Sequence, residues 1–234
     1  DKVGPLCRSV ADTALVLDGM RGADAGDPSS MDAPFDCDLS RGIEGLRIGY
    51  VPGSFEGRGG EARPETAMLD AARELGAELV EIEDVAPDWT PFLRVLLNVE
   101  AASAFEELTL SGRDEELTWQ SPQAWPNTFR STWLVPAVEA TQAERLRRSA
   151  MTHFDDLMNE NRLDAIIGPS FASQLLLLTN MTGTPCSVVR IGMRDRRTPL
   201  GGSVWGRAFG DGTVVRVAQA IEQELDAWRA RPLL

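Results

Sequence analysis

Histidine and lysine are almost missing from these 234 residues: His153 and Lys2 are the single examples, and every other basic residue is arginine. With one histidine, a Ser-His-Asp or Cys-His site must use that residue or not exist. His153 falls on a helical apolar pattern between Ala150 and Leu157, with no nucleophile near it in the chain. It therefore reads as a half-buried structural residue. The three cysteines, Cys7, Cys37 and Cys186, are far apart and form no CxxC or Cys/His cluster. That spacing supports neither a zinc site nor a disulfide framework, and it points to buried thiols in a reducing compartment. The longest apolar stretch, Leu175 to Leu178, is far below the ~18 residues a transmembrane helix needs. GxSxG, Walker, HExxH and GxGxxG patterns are lacking as well. The many carboxylates are spread along helices as solvated faces, and no pair stands out as an acid/base couple.

What is present is an acidic, ordinary globular composition. Hydrophobic residues make up 43% and charged residues 25%, enough for one large core or two modest ones. The formal net charge of -13 disfavours nucleic-acid phosphates and anionic lipid as partners. The chain opens on Asp1 with no basic start and apolar core, so no signal peptide is readable. It runs straight into an organised motif, and N-terminal truncation is the expectation. A cytoplasmic compartment is expected, although this end of the chain does not report it.

Periodicity sets out the elements. Ser9 caps a helix carrying Val10, Ala14 and Leu17, and Gly22 stops it. A strand over Leu46 to Val51 is followed by a helix opened by Pro64 and closed by Gly76, then by a strand over Leu79 to Ile82. Such a unit predicts a parallel pair. Residues 90–160 read as a helical subregion. Its first part is broken by Pro91, Pro122, Pro126 and Pro136 and holds Trp119, Trp125 and Trp133, with Trp89 just before it. These aromatics are expected to pack as a satellite core, with a pocket wall as the other reading. A long helix over Ala137 to Asn159 buries Leu146, Ala150, Phe154 and Leu157. Strands are predicted at Asp164 to Gly168, Cys186 to Ile191 and Leu200 to Trp205, and Asp211 caps a last amphipathic helix. Gly201-Gly202-Ser203 looks like a nucleophile loop, but no base is offered to it, and it reads as the start of a strand. The fold class is α/β, a mixed, largely parallel sheet flanked by helices.

Several segments, in order, resemble the amidase signature family. Asp1-Lys2-Val3-Gly4-Pro5 through Arg8-Ser9-Val10-Ala11-Asp12 is similar to its D-x-x-G-P-x-x-R-[ST]-V-x-D run. Gly45-Leu46-Arg47-Ile48-Gly49 and Gly76-Ala77-Glu78-Leu79-Val80 look like its next two strands. Asp164 to Ser170, Leu178 to Pro185 and Val204 to Asp211 are similar to its "D-V-L-L-T-P-[ST]", "T-N-L-T-G-x-P" and "G-R-x-F" pieces. Six pieces in sequence, spread over nearly the whole chain, make the resemblance specific.

The resemblance implies the C-terminal part of a single amidase domain over 1–234. It implies carboxamide hydrolysis in the intact parent by a Ser nucleophile, a second Ser joined through a cis peptide, and a Lys base. That triad precedes the D-x-x-G-P run in the family, so no catalytic residue carries over, and Lys2 sits at a variable position. Without the triad the chain alone is expected to be inactive. Leu176, Leu177, Asn180 and Thr182, before the "T-G-x-P" piece, are the implied substrate-contact residues, with sheet packing as the equal alternative. No cofactor and no metal are implied. The partner implied is a small-molecule amide in the intact parent, with a homodimer left open. Two other readings stay open: the glutaminase component of a tRNA-dependent amidotransferase, and a non-catalytic scaffold or binding module.

Overall fold

The computed structural model describes residues 4–57, 59–83, 85–171, 173–195 and 197–229. Lys2, with Asp1 and Val3 of the opening motif, lies outside them. The strands are β1 (Arg47–Tyr50), β2 (Glu78–Glu81), β3 (Ala165–Pro169), β4 (Cys186–Met193) and β5 (Pro199–Trp205). They form one sheet in the order β2-β1-β3-β5-β4. β1 lies parallel to both β2 and β3, whereas β5 is antiparallel to both β3 and β4. The sheet is mixed as expected, but its parallel part is half of the pairings rather than most of them. The reason is the short link from β4 to β5, which can only reverse the chain; parallel neighbours need a longer crossover such as the helix between β1 and β2.

Helices cover both faces. On one face lie α1 (Val10–Met20), α2 (Ala67–Glu74) and α8 (Asp211–Leu225). Their Val10, Met68, Ala72, Val214 and Ala218 join Ile48, Ile167 and Val204 of the sheet in one core. On the other face, α6 (Ala137–Glu160) and α7 (Ser173–Thr182) bury Ala150, Phe154, Met158 and Leu178 against Ile166 and Trp205. Successive residues of β3 thus feed opposite cores, as a period of two requires. α6 turns Ala143, Ala150, Phe154 and Met158 inward; Leu146 and Leu157, expected in that stripe, are half-buried at its edge. Among the described residues, no helix is long and apolar enough to cross a membrane.

The helix termini explain two motif residues. Ser9 Oγ accepts from Asp12 N at 3.1 Å, which caps α1. Val10 N donates to both carboxyl oxygens of Glu222 at 3.2 and 3.0 Å, so a carboxylate from α8 sits on the N-terminus of α1. α8 itself is capped by Gly210, which offers no side chain; Asp211, expected as the cap, is its first residue. Arg207 of the "G-R-x-F" piece donates to Met158 O at 2.9 Å and to Leu163 O at 3.1 Å. It satisfies the end of α6 and holds it at the approach to β3.

Other expectations are corrected. Cys7 and Cys186 are exposed and Cys37 is half-buried, so the thiols are not core residues. Trp119, Trp125 and Trp133 are exposed rather than packed as a satellite core; only Trp89 is half-buried. Of these three only Trp125 lies in a helix, α5 (Trp125–Thr132), which follows the short α3 (Arg94–Ala104) and α4 (Glu106–Leu110); Trp119 precedes α5 and Trp133 follows its last residue. Gly201, Gly202 and Ser203 belong to β5, and Ser203 is buried. A Cβ at Gly202 would overlap Met68 Sδ, so the glycine is there to let α2 approach the sheet.

This packing can be tested at two positions. Gly202→Ala should cost about 1–3 kcal/mol in a denaturant melt, because Met68 is fully buried and has nowhere to move. Glu222 tests the α1–α8 contact. Burial pushes its carboxyl above the ordinary range, against the Val10 N–H and Arg190, which pull it down. Stability linked to Glu222 is therefore complete below the unfolded pKa and is lost as pH rises through the folded one. Glu222→Gln keeps an acceptor for Val10 and removes the charge. It should raise the melting temperature at about pH 8 and leave it nearly unchanged at about pH 4.

Candidate functional site

The carboxyl ends of parallel strands are where open α/β sheets place ligands. In this sheet β2, β1 and β3 point their carboxyl ends the same way, and a cleft of about 350 Å³ opens there. Val51 follows β1, Glu83, Val85 and Ala86 follow β2, and Ile167 and Pro169 come from the end of β3. Gln174 and Leu175 of α7 and the exposed Phe171 supply another wall. The remaining lining, Gly53, Ser54, Glu56 and Arg63, comes from the loop between β1 and α2. That loop folds on itself: Gly57 N donates to Glu61 O at 2.7 Å and Arg63 N to Phe55 O at 2.9 Å.

Its electrostatics centre on Arg63. The guanidinium donates through Nη2 to Glu65 Oε1 at 2.7 Å and through Nε to Oε2 at 3.3 Å. Glu65 is only 4% exposed. Burial alone would raise its carboxyl, but the Arg63 hydrogen bonds and the charges of Arg63 and Arg194 outweigh it and hold it below the ordinary range. A guanidinium locked in this way is an orienting cation and cannot serve as a base. Glu56 and Glu83, also in the lining, are exposed.

Two serines stand at or beside the cleft, and neither is activated. Ser54 Oγ donates to Val51 O at 2.7 Å. Ser170, next after Pro169, keeps its Oγ buried without a hydrogen-bond partner. No hydrogen bond joins either serine to His153 among the described residues. His153 Nε2 instead meets Val85 O at 3.2 Å, with the Trp89 ring edge-on at 6.4 Å. As read from the sequence, His153 is half-buried and structural, and the structure adds that it braces a wall of the cleft. Among the described residues no three His, Cys, Asp or Glu side chains gather as metal ligands would.

The four residues expected to contact substrate all lie on α7, but none of them lines the cleft, which takes Gln174 and Leu175 from the same helix. Leu177 and Thr182 are buried, Leu176 is half-buried and Asn180 is exposed. Asn180 Nδ2 donates to Leu176 O at 2.9 Å, and Thr182 Oγ1 donates to Thr179 O at 3.2 Å. Sequence reasoning passed over Arg63 and Glu65. The available signal was a charged pair flanking Pro64 at the start of a helix, directly after the glycine-rich loop.

The family model for Amidase matches residues 1–182. An amidase from Pseudomonas putida is 31% identical over 182 residues, covering 73% of this chain and 36% of that protein. The A-type component of a glutamyl-tRNA(Gln) amidotransferase from Chelativorans sp. (strain BNC1) is 26% identical, covering 95% of this chain and 54% of its own length. The chain thus spans about a third to a half of these relatives. Among solved structures, a bacterial aryl acylamidase of the amidase signature enzymes superimposes with a TM-score of 0.75 at 22% identity, over 98% of this chain and 55% of that one.

Removing the carboxylate that orients Arg63 should be visible in stability. Glu65→Gln is expected to cost about 1–2 kcal/mol near neutral pH, since solvent reaches Arg63 and weakens the pair. Glu65's depressed folded pKa contributes stability that is present above the unfolded pKa and is lost as pH falls. The wild-type advantage in a urea melt should therefore shrink in acid; a difference constant with pH would remove Glu65 from the account.

Proposed function

Because the chain belongs to the amidase signature family, we propose that the intact protein hydrolyses a small carboxamide, with the bond-breaking serines and lysine supplied from outside these 234 residues. The observation that carries this reading is the cleft at the carboxyl ends of β1, β2 and β3, a ligand-sized space without an activated nucleophile of its own. Its walls would do the binding. Val51, Val85, Ile167 and Leu175 would pack the acyl part and exclude water, while Gln174 and the fixed Arg63 offer N–H groups to a carbonyl oxygen. Leu176, Leu177, Asn180 and Thr182 would act from behind, setting the position of α7 and hence of Gln174.

The chemistry needs a serine whose proton is taken by a neutral lysine, and N–H donors placed where the carbonyl oxygen becomes an oxyanion. Among the described residues no lysine lines the cleft, the Arg63 guanidinium is taken up as a donor to Glu65, and Ser54 donates its hydrogen to Val51 O. A second reading is favoured by the likeness to the amidotransferase component, which extends over 95% of the chain. In it the protein would release ammonia from glutamine for partner subunits.

The polypeptide alone should release no ammonia from simple aryl or aliphatic amides. Turnover abolished by a fluorophosphonate would mean that a reactive serine lies within these residues and would overturn the proposal. With the intact protein, hydrolysis of simple amides by the enzyme alone supports the first reading. Ammonia release from glutamine only when partner subunits are added supports the second.

A further inference from the structure

The exposed aromatics form an organised surface. Phe129 of α5 is its floor, 4% exposed, and stacks with Phe105 and with Trp125 at centroid distances of 5.1 and 5.6 Å. Phe105 and Trp125 remain 49% and 47% exposed. The segment before α5 is strapped along this helix. Arg130 pairs with the buried Asp114 at 2.6 Å, and Asn127 Nδ2 donates to Gln120 O at 3.1 Å and to Ser121 O at 2.9 Å. Gln120 Nε2 in turn donates to Leu117 O at 2.8 Å and to Asp114 O at 2.9 Å. These bonds hold Trp119, 62% exposed, next to the first turn of α5. Rings held by stacking on the buried Phe129 and by these hydrogen bonds bind with a reduced ordering cost.

The rim of this surface is acidic. Glu106 and Glu107 in the first turn of α4, and Glu115 and Glu116 in the turn packed against α4, are exposed. The base among them, Arg113, is engaged by Glu116 at 3.7 Å. Exposed apolar surface framed by charge marks an interaction site, and the sign of the frame selects the occupant.

We propose that this face binds a basic segment of a partner protein, one in which Lys or Arg side chains alternate with apolar ones. The apolar side chains would lie on Phe105 and Trp125. The cations would sit over the indole faces and against Glu106, Glu107 and Glu115. A second copy of this chain would bring the same carboxylates together on a molecule of net charge -13, and anionic lipid would meet the same repulsion.

The test uses the intact protein and, as probe, a fluorescein-labelled amphipathic Lys/Leu peptide of about 14 residues, long enough to present one apolar face. Anisotropy should show saturable one-to-one binding that weakens with salt. Trp119→Ser combined with Trp125→Ser should weaken it about tenfold or more. Glu106→Gln, Glu107→Gln, Glu115→Gln and Glu116→Gln together should weaken it comparably; this variant leaves the ring stack alone and so separates lost binding from lost folding. Leu15→Ser with Val16→Ser, on the exposed part of α1, should bind as wild type. The proposal fails if the patch variants bind the peptide normally, or if a Glu/Leu peptide binds equally well. It also fails if the same tryptophans prove to support dimer formation in sedimentation, or binding to phosphatidylserine vesicles.

Discussion

The structure depends on β3 being buried on both faces and bonded on both edges. Every residue of Ala165–Pro169 is buried, and water can satisfy none of its backbone groups. β1 must supply the partners on one edge and β5 on the other, and those two neighbours run in different directions relative to β3. That strand is therefore the seam between the parallel and antiparallel halves of the sheet. Ala165 and Ile167 enter the core under α2 and α8, and Ile166 enters the core under α6 and α7. Arg207 at the far end of α6 and Trp205 against Gly168 keep the seam in register with both layers.

The cleft is a consequence of that seam. Three strands with their carboxyl ends aligned leave a depression above them, and the loop from β1 to α2 closes one side of it. A carboxylate that would otherwise be costly to bury is stabilised there by a bidentate guanidinium. The result is a positioned cation, an apolar floor, a set of amide and hydroxyl groups and two exposed carboxylates, with neither serine at the cleft bonded to a base. The proposed division of labour, with walls here and reacting groups elsewhere, fits the chain's span of about half the length of its amidotransferase relative.

The helical subregion follows a different rule. Before α6 its helices are short, prolines interrupt them, and Trp119, Trp125 and Trp133 end on the surface. Trp119, Trp125 and Trp133 could be counted from the sequence, but their exposure could not. Aromatic side chains usually bury for their area, and whether they find cover depends on how long the neighbouring helices are. Here α4 spans only Glu106–Leu110, and the turn after it is drawn onto α5 by Arg130, Asn127 and Gln120, so the rings are displayed rather than covered.

Local signals were legible where the physics is local. The apolar run in Asp164 to Gly168, the 3.6-residue recurrence of Val214, Val217, Ala218 and Ile221, and the Ser9 cap each need only a few neighbouring residues, and each element was placed to within a few positions. The half-buried state of His153 was legible for the same reason. The turn of the sheet at β5, the Arg63–Glu65 lock, the place of Gln174 and Leu175 in the cleft wall, and the capping of α1 by Glu222 were not. Each of these depends on where a chain segment lies relative to another, as with Val10 and Glu222, 212 positions apart. Periodicity determines which face of an element is apolar; only the packed sheet decides what that face meets.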